Sequence, residues 1–330
     1  MAKLISNATT ISKSISWKGI SENTERMSFT DAESIDWKTV KELHVLGSQQ
    51  TEHDQVPFWN DDISVKQYGC YISFDRTWVL LLGPPENMIT KLLSHCTQQL
   101  KSLDIRFTSI SQIDLSHLNG VKRLNLAENA KLVSVLGLDS LKDLFVLDLK
   151  RSPLSFDLDV SDYNSLYSLS IRDTGICKVI ADVPLLNMAY FDAANTKLRD
   201  SAVISQFPSL KVLNLSGTGI TEVPQMDRFK SLEILNISNT HICKLPPIVT
   251  LSKLKTLNIS YTDIESLEGI VFPQGLRSLI LNGTIIKQIP DGVRKLGNLR
   301  RLALSDMVLE SLPSWLPALK LEFSIENQNK

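Results

Sequence analysis

Hydrophobic and polar positions recur in a fixed order along the chain, most clearly between Leu210 and Leu281. Four segments align without gaps and begin at residues 210, 232, 254 and 276: LKVLNLSGTGI, LEILNISNTHI, LKTLNISYTDI and LRSLILNGTII. Their starts lie 22 residues apart (232 − 210, 254 − 232, 276 − 254). In the shared frame L-x-x-L-x-L-x-x-T-x-I, the L-x-L alternation predicts a short strand that turns two leucines toward one face.

One such unit cannot cover its own leucines, so the repetition predicts a stack of coils whose strands lie about 4.8 Å apart. The first positions of the frame are Leu100, Val121, Leu144, Leu166, Met188, Leu210, Leu232, Leu254, Leu276, Leu299 and Leu316. The spacings run from 21 (121 − 100) to 23 (144 − 121), except for the last, which is 17 (316 − 299). A short polar residue, most often threonine, occupies the ninth position, where we expect it to bond the backbone of the turn.

This pattern resembles the leucine-rich repeats, and the resemblance covers about residues 77–326. It implies an α/β solenoid, a curved, right-handed superhelix of mostly parallel β structure. Val223-Pro224, Leu245-Pro246, Ile289-Pro290 and Leu312-Pro313 predict extended or short 3₁₀ segments on the convex side. The threonine-type repeat of 22 residues is similar to intracellular and bacterial effector-like members of the family.

Three regions precede or make up this array. Residues 1–39 are rich in Ser, Thr, Asn and Lys and predict a partly disordered leader, with a bacterial export signal as the alternative. Residues 40–99 predict an irregular N-terminal cap, with degenerate repeats beginning near Val40 and Thr77 around a β-rich insertion. Residues 100–330 form the array, which we expect to end in a closing strand around 319–325.

Composition excludes several classes of protein and adds little chemistry. With 35 basic and 36 acidic residues the net charge is −1, so nothing favours nucleic acid or an anionic membrane as partner. No apolar run approaches the roughly 18 residues of a membrane span, and the N-terminus lacks a secretory h-region. The four scattered cysteines fit reduced thiols and a cytoplasmic location, in the producing cell or in a host cell. No metal, cofactor or catalytic motif is visible.

The variable positions of the predicted strands suggest a binding surface. Positions three, five and seven of the frame point away from the core, onto the concave sheet. The third position carries an apolar stripe, the fifth an asparagine ladder, and charged side chains gather in the N-terminal half. That charged zone is either a solvated lattice of weak ion pairs or a specificity zone. The candidate partner-binding residues are Arg123, Val146, Lys150, Arg172, Tyr190, Asp192, Val212, Asn214, Ile234, Asn236 and Asn258.

Two classes of function remain open. The first is a non-enzymatic module, possibly a secreted bacterial effector, that binds another protein on its concave sheet. The second is an enzyme or effector whose activity resides in residues 1–99, with the repeats as a targeting domain. The titratable residues available for that activity are Glu42, His44, His53, Asp54, Asp61, Asp62 and Asp75. The oligomeric state is left open by the sequence.

Overall fold

The structure is a computed structural model. It describes residues 89–330 except 225, 306, 308–312, 317–321 and 325–330, and only the backbone of the strands at 24–28, 42–46, 69–74, 77–82 and 322–324. The chain divides into two compact units, Met1–Leu154 and Ser155–Lys330. Each unit is described by itself below.

The described residues of the first unit form nine strands and one short helix. They are β1 (Thr24–Ser28), β2 (Glu42–Leu46), β3 (Gly69–Phe74), β4 (Thr77–Leu82), α1 (Ile89–His95), β5 (Ser102–Arg106), β6 (Gln112–Asp114), β7 (Arg123–Asn125), β8 (Ser134–Leu136) and β9 (Val146–Asp148). The main sheet has the order β1-β4-β3-β2-β5-β7-β9. Strands β5, β7 and β9 are parallel and in register, and β6 pairs with β8 in a second, small sheet.

The strands before the array differ from the predicted order of repeats. The segment from Val40 behaves as a repeat, because β2 pairs in parallel with β5 and Leu43 lies opposite Leu103. The segment from Thr77, where we also predict a degenerate repeat, forms the strand β4. It pairs antiparallel with β3 and parallel with β1, so it does not take the place in the parallel ladder that a repeat would take. The strand β1 lies inside the segment that we expect to be a leader; the rest of residues 1–39 lies outside the described residues.

Ten strands lie in the part of the second unit that the structure describes. They are β10 (Leu158–Asp159), β11 (Ser168–Ser170), β12 (Val179–Ile180), β13 (Tyr190–Asp192), β14 (Val212–Asn214), β15 (Ile234–Asn236), β16 (Thr256–Asn258), β17 (Ser278–Ile280), β18 (Arg301–Ala303) and β19 (Glu322–Ser324). From β11 onward, all except β12 form one parallel sheet in chain order, and β10 pairs with β12 separately. The last strand, within the segment where we predict a closing strand, pairs in parallel with β18.

The remaining parts of the coils are short turns, bridges and 3₁₀ helices, as the proline positions predict. The 3₁₀ helices whose bounds the structure describes are Leu138–Ser140, Ala202–Gln206, Met226–Arg228 and Asp291–Lys295. Pro290 caps the last of these with an extended backbone, which suits a residue that has no N–H to donate. The parallel solenoid of stacked coils with little helix is thereby confirmed.

In the five coils of the second unit that begin at Leu166, Met188, Leu210, Leu232 and Leu254, and in the coil from Leu276, the first, fourth, sixth and eleventh positions form the core. In the coil that begins at Leu210, these residues are Leu210, Leu213, Leu215 and Ile220, and all four have no exposed surface. Burying a leucine side chain contributes about 2–3 kcal/mol relative to leaving it exposed. Coils stacked through such residues therefore stabilise each other, although none could fold alone.

The ninth position is a buried polar column, as predicted. In the second unit each threonine hydroxyl donates a hydrogen bond of 2.6–2.8 Å to the carbonyl three residues earlier, as Thr218 does to Leu215. In the first unit Asn129 replaces threonine and bonds across two coils. Its amide oxygen accepts the N–H and hydroxyl of Thr108, and its amide nitrogen donates to the carbonyls of Ile105 and Leu126.

The eighth position, just before this column, is a second regular feature of the backbone. Its residues all have positive φ, from 52° at Tyr261 to 67° at Gly217. They are Phe107, Glu128, Arg151, Asp173, Asn195, Gly217, Asn239, Tyr261 and Gly283. This left-handed residue turns the chain inward while its N–H still donates to the next coil, as that of Asn239 does to the Ser260 carbonyl at 2.8 Å. The sequence frame treats this position as variable and does not reveal the constraint.

Candidate functional site

The parallel sheet of the second unit turns one face away from the core, and we call it the strand face. It carries the third and fifth positions of each coil. Tyr190, Val212 and Ile234 occupy the third position of β13, β14 and β15 and lie directly opposite one another in the sheet. We call these three residues the apolar row. Ile234 is 39% exposed, and the other two are half-buried. The strands therefore bring together three of the four predicted apolar residues in one unit.

The fourth, Val146, lies in the first unit at the third position of β9 and is only 9% exposed. Arg123 is its in-register neighbour on β7 and is exposed. Val146 therefore offers little surface to a partner, although its frame position is the same as that of Ile234. The frame predicts the direction of a side chain but not what packs around it.

Aromatic packing positions the N-terminal end of the apolar row. The rings of Tyr190 and Tyr167 meet edge to face, with their centroids 5.1 Å apart. Burial, followed by a hydrogen bond with Tyr167, raises the pKa of the Tyr190 phenol to about 12. The ammonium of Lys211 lies 6.0 Å from the centroid of the Tyr167 ring. Tyr190 thus keeps its proton over the physiological range and presents a fixed, neutral aromatic surface.

Asn214, Asn236 and Asn258 lie in register at the fifth position of β14, β15 and β16, and we call them the amide row. The predicted ladder is aligned, but its amides bond within their own coils. Each amide oxygen accepts the N–H and the hydroxyl of the serine two residues later, as Asn236 does from Ser238 at 3.1 and 2.8 Å. These bonds fix the amide orientation, so the NH₂ group of each residue remains a donor on the strand face.

Sequence reasoning missed a charged row at the second position of the frame. The row consists of Lys211, Glu233, Lys255, Arg277 and Arg300. From Glu233 onward, each backbone N–H in it donates to the carbonyl of the preceding member at 2.8 Å, so the five residues lie side by side. Glu233 is bonded by the ammonium of Lys255, which lowers the pKa of its carboxyl. The signal was available in the sequence, because four of these five second positions are Lys or Arg.

The charged residues predicted in the first unit form internal pairs. Arg106 bonds both oxygens of Asp104 at 2.8 and 2.9 Å, and Lys150 lies 3.8 Å from Asp148. Both carboxylates are buried, so the expectation of a solvated lattice is wrong for these two pairs. Burial raises the pKa of Asp148 to about 6, against the opposing effect of Lys150. Lys150 is itself buried, so it neutralises Asp148 but offers little surface to a partner.

In the second unit, Arg172 and Asp192 lie on the strand face near the apolar row. The guanidinium of Arg172 contacts Asp173 at 3.3 Å and Asp192 at 4.0 Å. Asp192 also accepts the N–H of Ala194 at 3.1 Å. Both members of this pair are partly exposed, so it is a surface pair of small energetic weight.

The described residues give no support to the catalytic alternative. Among them, no group of three or more His, Cys, Asp or Glu side chains could hold a metal ion. Burial raises the pKa of Cys96 to about 12, and its thiol donates to the Leu92 carbonyl at 3.4 Å, which disfavours a nucleophilic thiolate. The side chains of Glu42, His44, His53, Asp54, Asp61, Asp62 and Asp75 lie outside the described residues. A search of the described helices found none long and apolar enough to cross a bilayer.

Comparisons with known proteins identify the fold. No protein-family model and no curated protein matches the sequence. Among solved structures, a leucine-rich-repeat protein of Leptospira interrogans is 23% identical with a TM-score of 0.53, over 72% of this chain and 68% of that one. Internalin InlF of Listeria monocytogenes is 20% identical with a TM-score of 0.58, over 76% and 79% of the two chains. The functional domain of InlJ from the same species is 20% identical with a TM-score of 0.60, over 69% of this chain and 49% of that domain. The chain therefore has the leucine-rich-repeat fold.

Proposed function

We propose that this leucine-rich-repeat chain is a non-enzymatic module that binds another protein on the strand face of its second unit. One observation carries the proposal: Tyr190, Val212 and Ile234 form a continuous apolar row on adjacent strands, at positions that the core does not need. An exposed apolar patch with a polar rim marks an interaction site. Here Asp192, Asn214 and Asn236 occupy the fifth positions of the same three strands, and Lys211 and Glu233 of the charged row directly precede Val212 and Ile234.

The fold suits this role because the strand face is built from backbone that the stacked core holds rigid. Side chains at the third and fifth positions can vary without disturbing the leucines beneath them. Tyr190 contributes an aromatic anchor whose orientation is already set by Tyr167, which reduces the entropy lost when a partner binds.

Location is a second part of the proposal. Cys177 and Cys243 are exposed free thiols, which suits a reducing compartment such as the cytoplasm of the producing cell or of a host. Secretion as a bacterial effector remains a prediction from the resemblance in sequence.

The test is affinity purification with the intact chain and with a Tyr190→Asp, Ile234→Asp double variant. We expect the double variant to lose the captured partner, because two charges would replace the apolar contact. The matched control is Val249→Asp, Val271→Asp: these valines are more exposed, at 50% and 61%, but lie outside the strands. Thermal unfolding of all three proteins checks that each is folded. Equal capture by the intact chain and the strand-face variant contradicts the proposal.

A further inference from the structure

The rows on either side of the apolar row have the same chemical character, and this limits what can bind between them. On one side, the amide row presents three NH₂ donors, while its oxygens are occupied by serines. On the other side, the charged row contains four cations and one carboxylate. Both sides therefore offer mainly hydrogen-bond donors or positive charge. The two carboxylates beside the apolar row already have partners: Glu233 bonds Lys255, and Asp192, in register with Asn214, lies 4.0 Å from Arg172 and accepts the N–H of Ala194.

Within the charged row, Arg277 and Arg300 are adjacent like charges. The backbone N–H of Arg300 donates to the Arg277 carbonyl at 2.8 Å, so the two residues lie side by side just before β17 and β18. Both are exposed, and among the described residues neither has an acidic partner. Like charges placed opposite each other on adjacent strands destabilise a sheet. The fold gains nothing from this pair, whereas an anionic ligand would bind to it favourably.

We infer that the occupant of the strand face is an acidic protein segment with at least one large apolar side chain. Its apolar side chain packs on Val212 and Ile234, its carboxylates meet Arg277, Arg300 and the cation of Lys211, and the amide row donates to its oxygens. This inference rests on the proposed function and specifies the chemistry of the partner.

The strand spacing sets the length of that segment. From β14 to β18 there are four strand intervals of about 4.8 Å, or roughly 19 Å in all. An extended chain that crosses the strands covers this distance with about six residues at about 3.3 Å each. A short linear segment is therefore sufficient, and a folded partner is not required.

The experiment is a selection of random displayed 12-residue peptides on the full chain, after depletion on the Ile234→Asp variant. We expect the recovered peptides to combine net negative charge with an aliphatic or aromatic residue. Their affinity should fall about tenfold on an Arg277→Glu, Arg300→Glu variant, as expected for two charge contacts at the edge of an interface. The matched control is Arg294→Glu, Lys295→Glu, which makes the same charge change on an exposed 3₁₀ helix.

The outcomes separate the two proposals. Acidic peptides that bind the Arg277→Glu, Arg300→Glu variant more weakly, but bind the Arg294→Glu, Lys295→Glu control as well as the parent, support both the proposed function and this inference. Two results overturn this inference and leave the proposed function standing. The first is peptides that require Ile234 but are neutral or basic. The second is peptides that bind the Arg277→Glu, Arg300→Glu variant as tightly as the parent. If the selection yields no peptide that requires Ile234, the strand face does not bind such segments, and this inference falls. The purification with the Tyr190→Asp, Ile234→Asp variant then decides the proposed function independently.

Discussion

Replacing Asn129 by alanine should destabilise the first unit more than any threonine replacement in the ninth-position column destabilises the second. Asn129 has no exposed surface and makes four side-chain hydrogen bonds of 2.7–3.0 Å. Alanine would leave the N–H of Thr108 and the carbonyl of Ile105 without these partners. The carbonyl of Leu126 would keep the hydroxyl of Ser152, which donates to it at 2.8 Å.

The magnitude follows from these partners. A buried polar group left unpaired costs about 1–3 kcal/mol, so two such groups give a loss of about 4 kcal/mol. Thr218→Ala removes one hydrogen bond, from its hydroxyl to the Leu215 carbonyl, and should cost about 1 kcal/mol. Asn129→Thr restores the residue type typical of the column and should lie between the two, since one hydroxyl cannot bridge two coils.

Hydrogen exchange is the appropriate assay, because stacked coils in two units need not unfold in one step. At about 1.4 kcal/mol per factor of ten, Asn129→Ala should accelerate exchange of the Thr108 amide about a thousandfold. Thr218→Ala should accelerate exchange in its own coil by less than about tenfold. If the two variants accelerate amide exchange in their coils by the same factor, the four hydrogen bonds of Asn129 do not contribute the stability that we infer from the structure.

Two further predictions concern the buried carboxylate and the left-handed column. Because the pKa of Asp148 is raised to about 6 from 3.8, the folded state holds its proton more tightly, and this stabilisation is lost as the pH rises through about 6. The parent should therefore lose about 2–3 kcal/mol of unfolding free energy between pH 4 and pH 7.5, whereas Asp148→Asn should not. The measurement is urea unfolding of both proteins at the two pH values, and an unfolding free-energy difference that does not change with pH would contradict the raised pKa. Gly283→Ala should lower the melting temperature by several degrees, about 1–3 kcal/mol, because φ is +59° and the added Cβ would lie 2.2 Å from the Tyr261 ring. Gly297→Ala, where nothing lies within 4 Å, is the control, and equal melting temperatures would refute the reasoning.

The sequence predicts the coils well because their cause is local and repeated. An apolar residue, most often leucine, occupies the first, fourth and sixth positions of the coils, so the pattern of the frame directly reflects the core. The strand β4 shows the limit: its alternation is correct, but its partner depends on the β3–β4 hairpin, which no frame encodes. The same limit applies to the site. The frame placed Ile234 and Val146 in equivalent positions, yet only the first is exposed, since exposure depends on neighbours from other segments.

The sequence contains a periodic signal for one further feature of the site, the charged row, but no such signal for the bonds of the amide row or for the left-handed eighth position. The charged row is periodic at 22 or 23 residues (277 − 255, 300 − 277) and belongs to the second position of the frame. The amide row was recognised, but its bonds to Ser216, Ser238 and Ser260 depend on the turn after each strand. The left-handed eighth position mixes glycine, asparagine and large residues, so composition gives no single residue type to recognise.

The glycines of the left-handed column bear on how such a chain can gain or lose repeats. An added Cβ at Gly217 would lie 2.1 Å from the Asn195 side chain, as at Gly283 it would meet Tyr261. Each of these coils thus leaves space for a side chain of the coil before it. Recombination that removed the segment 276–298 would preserve the period of the leucines but delete the glycine against which Tyr261 lies. Repeats of equal length are consequently not interchangeable, and the order of the coils is itself under physical constraint.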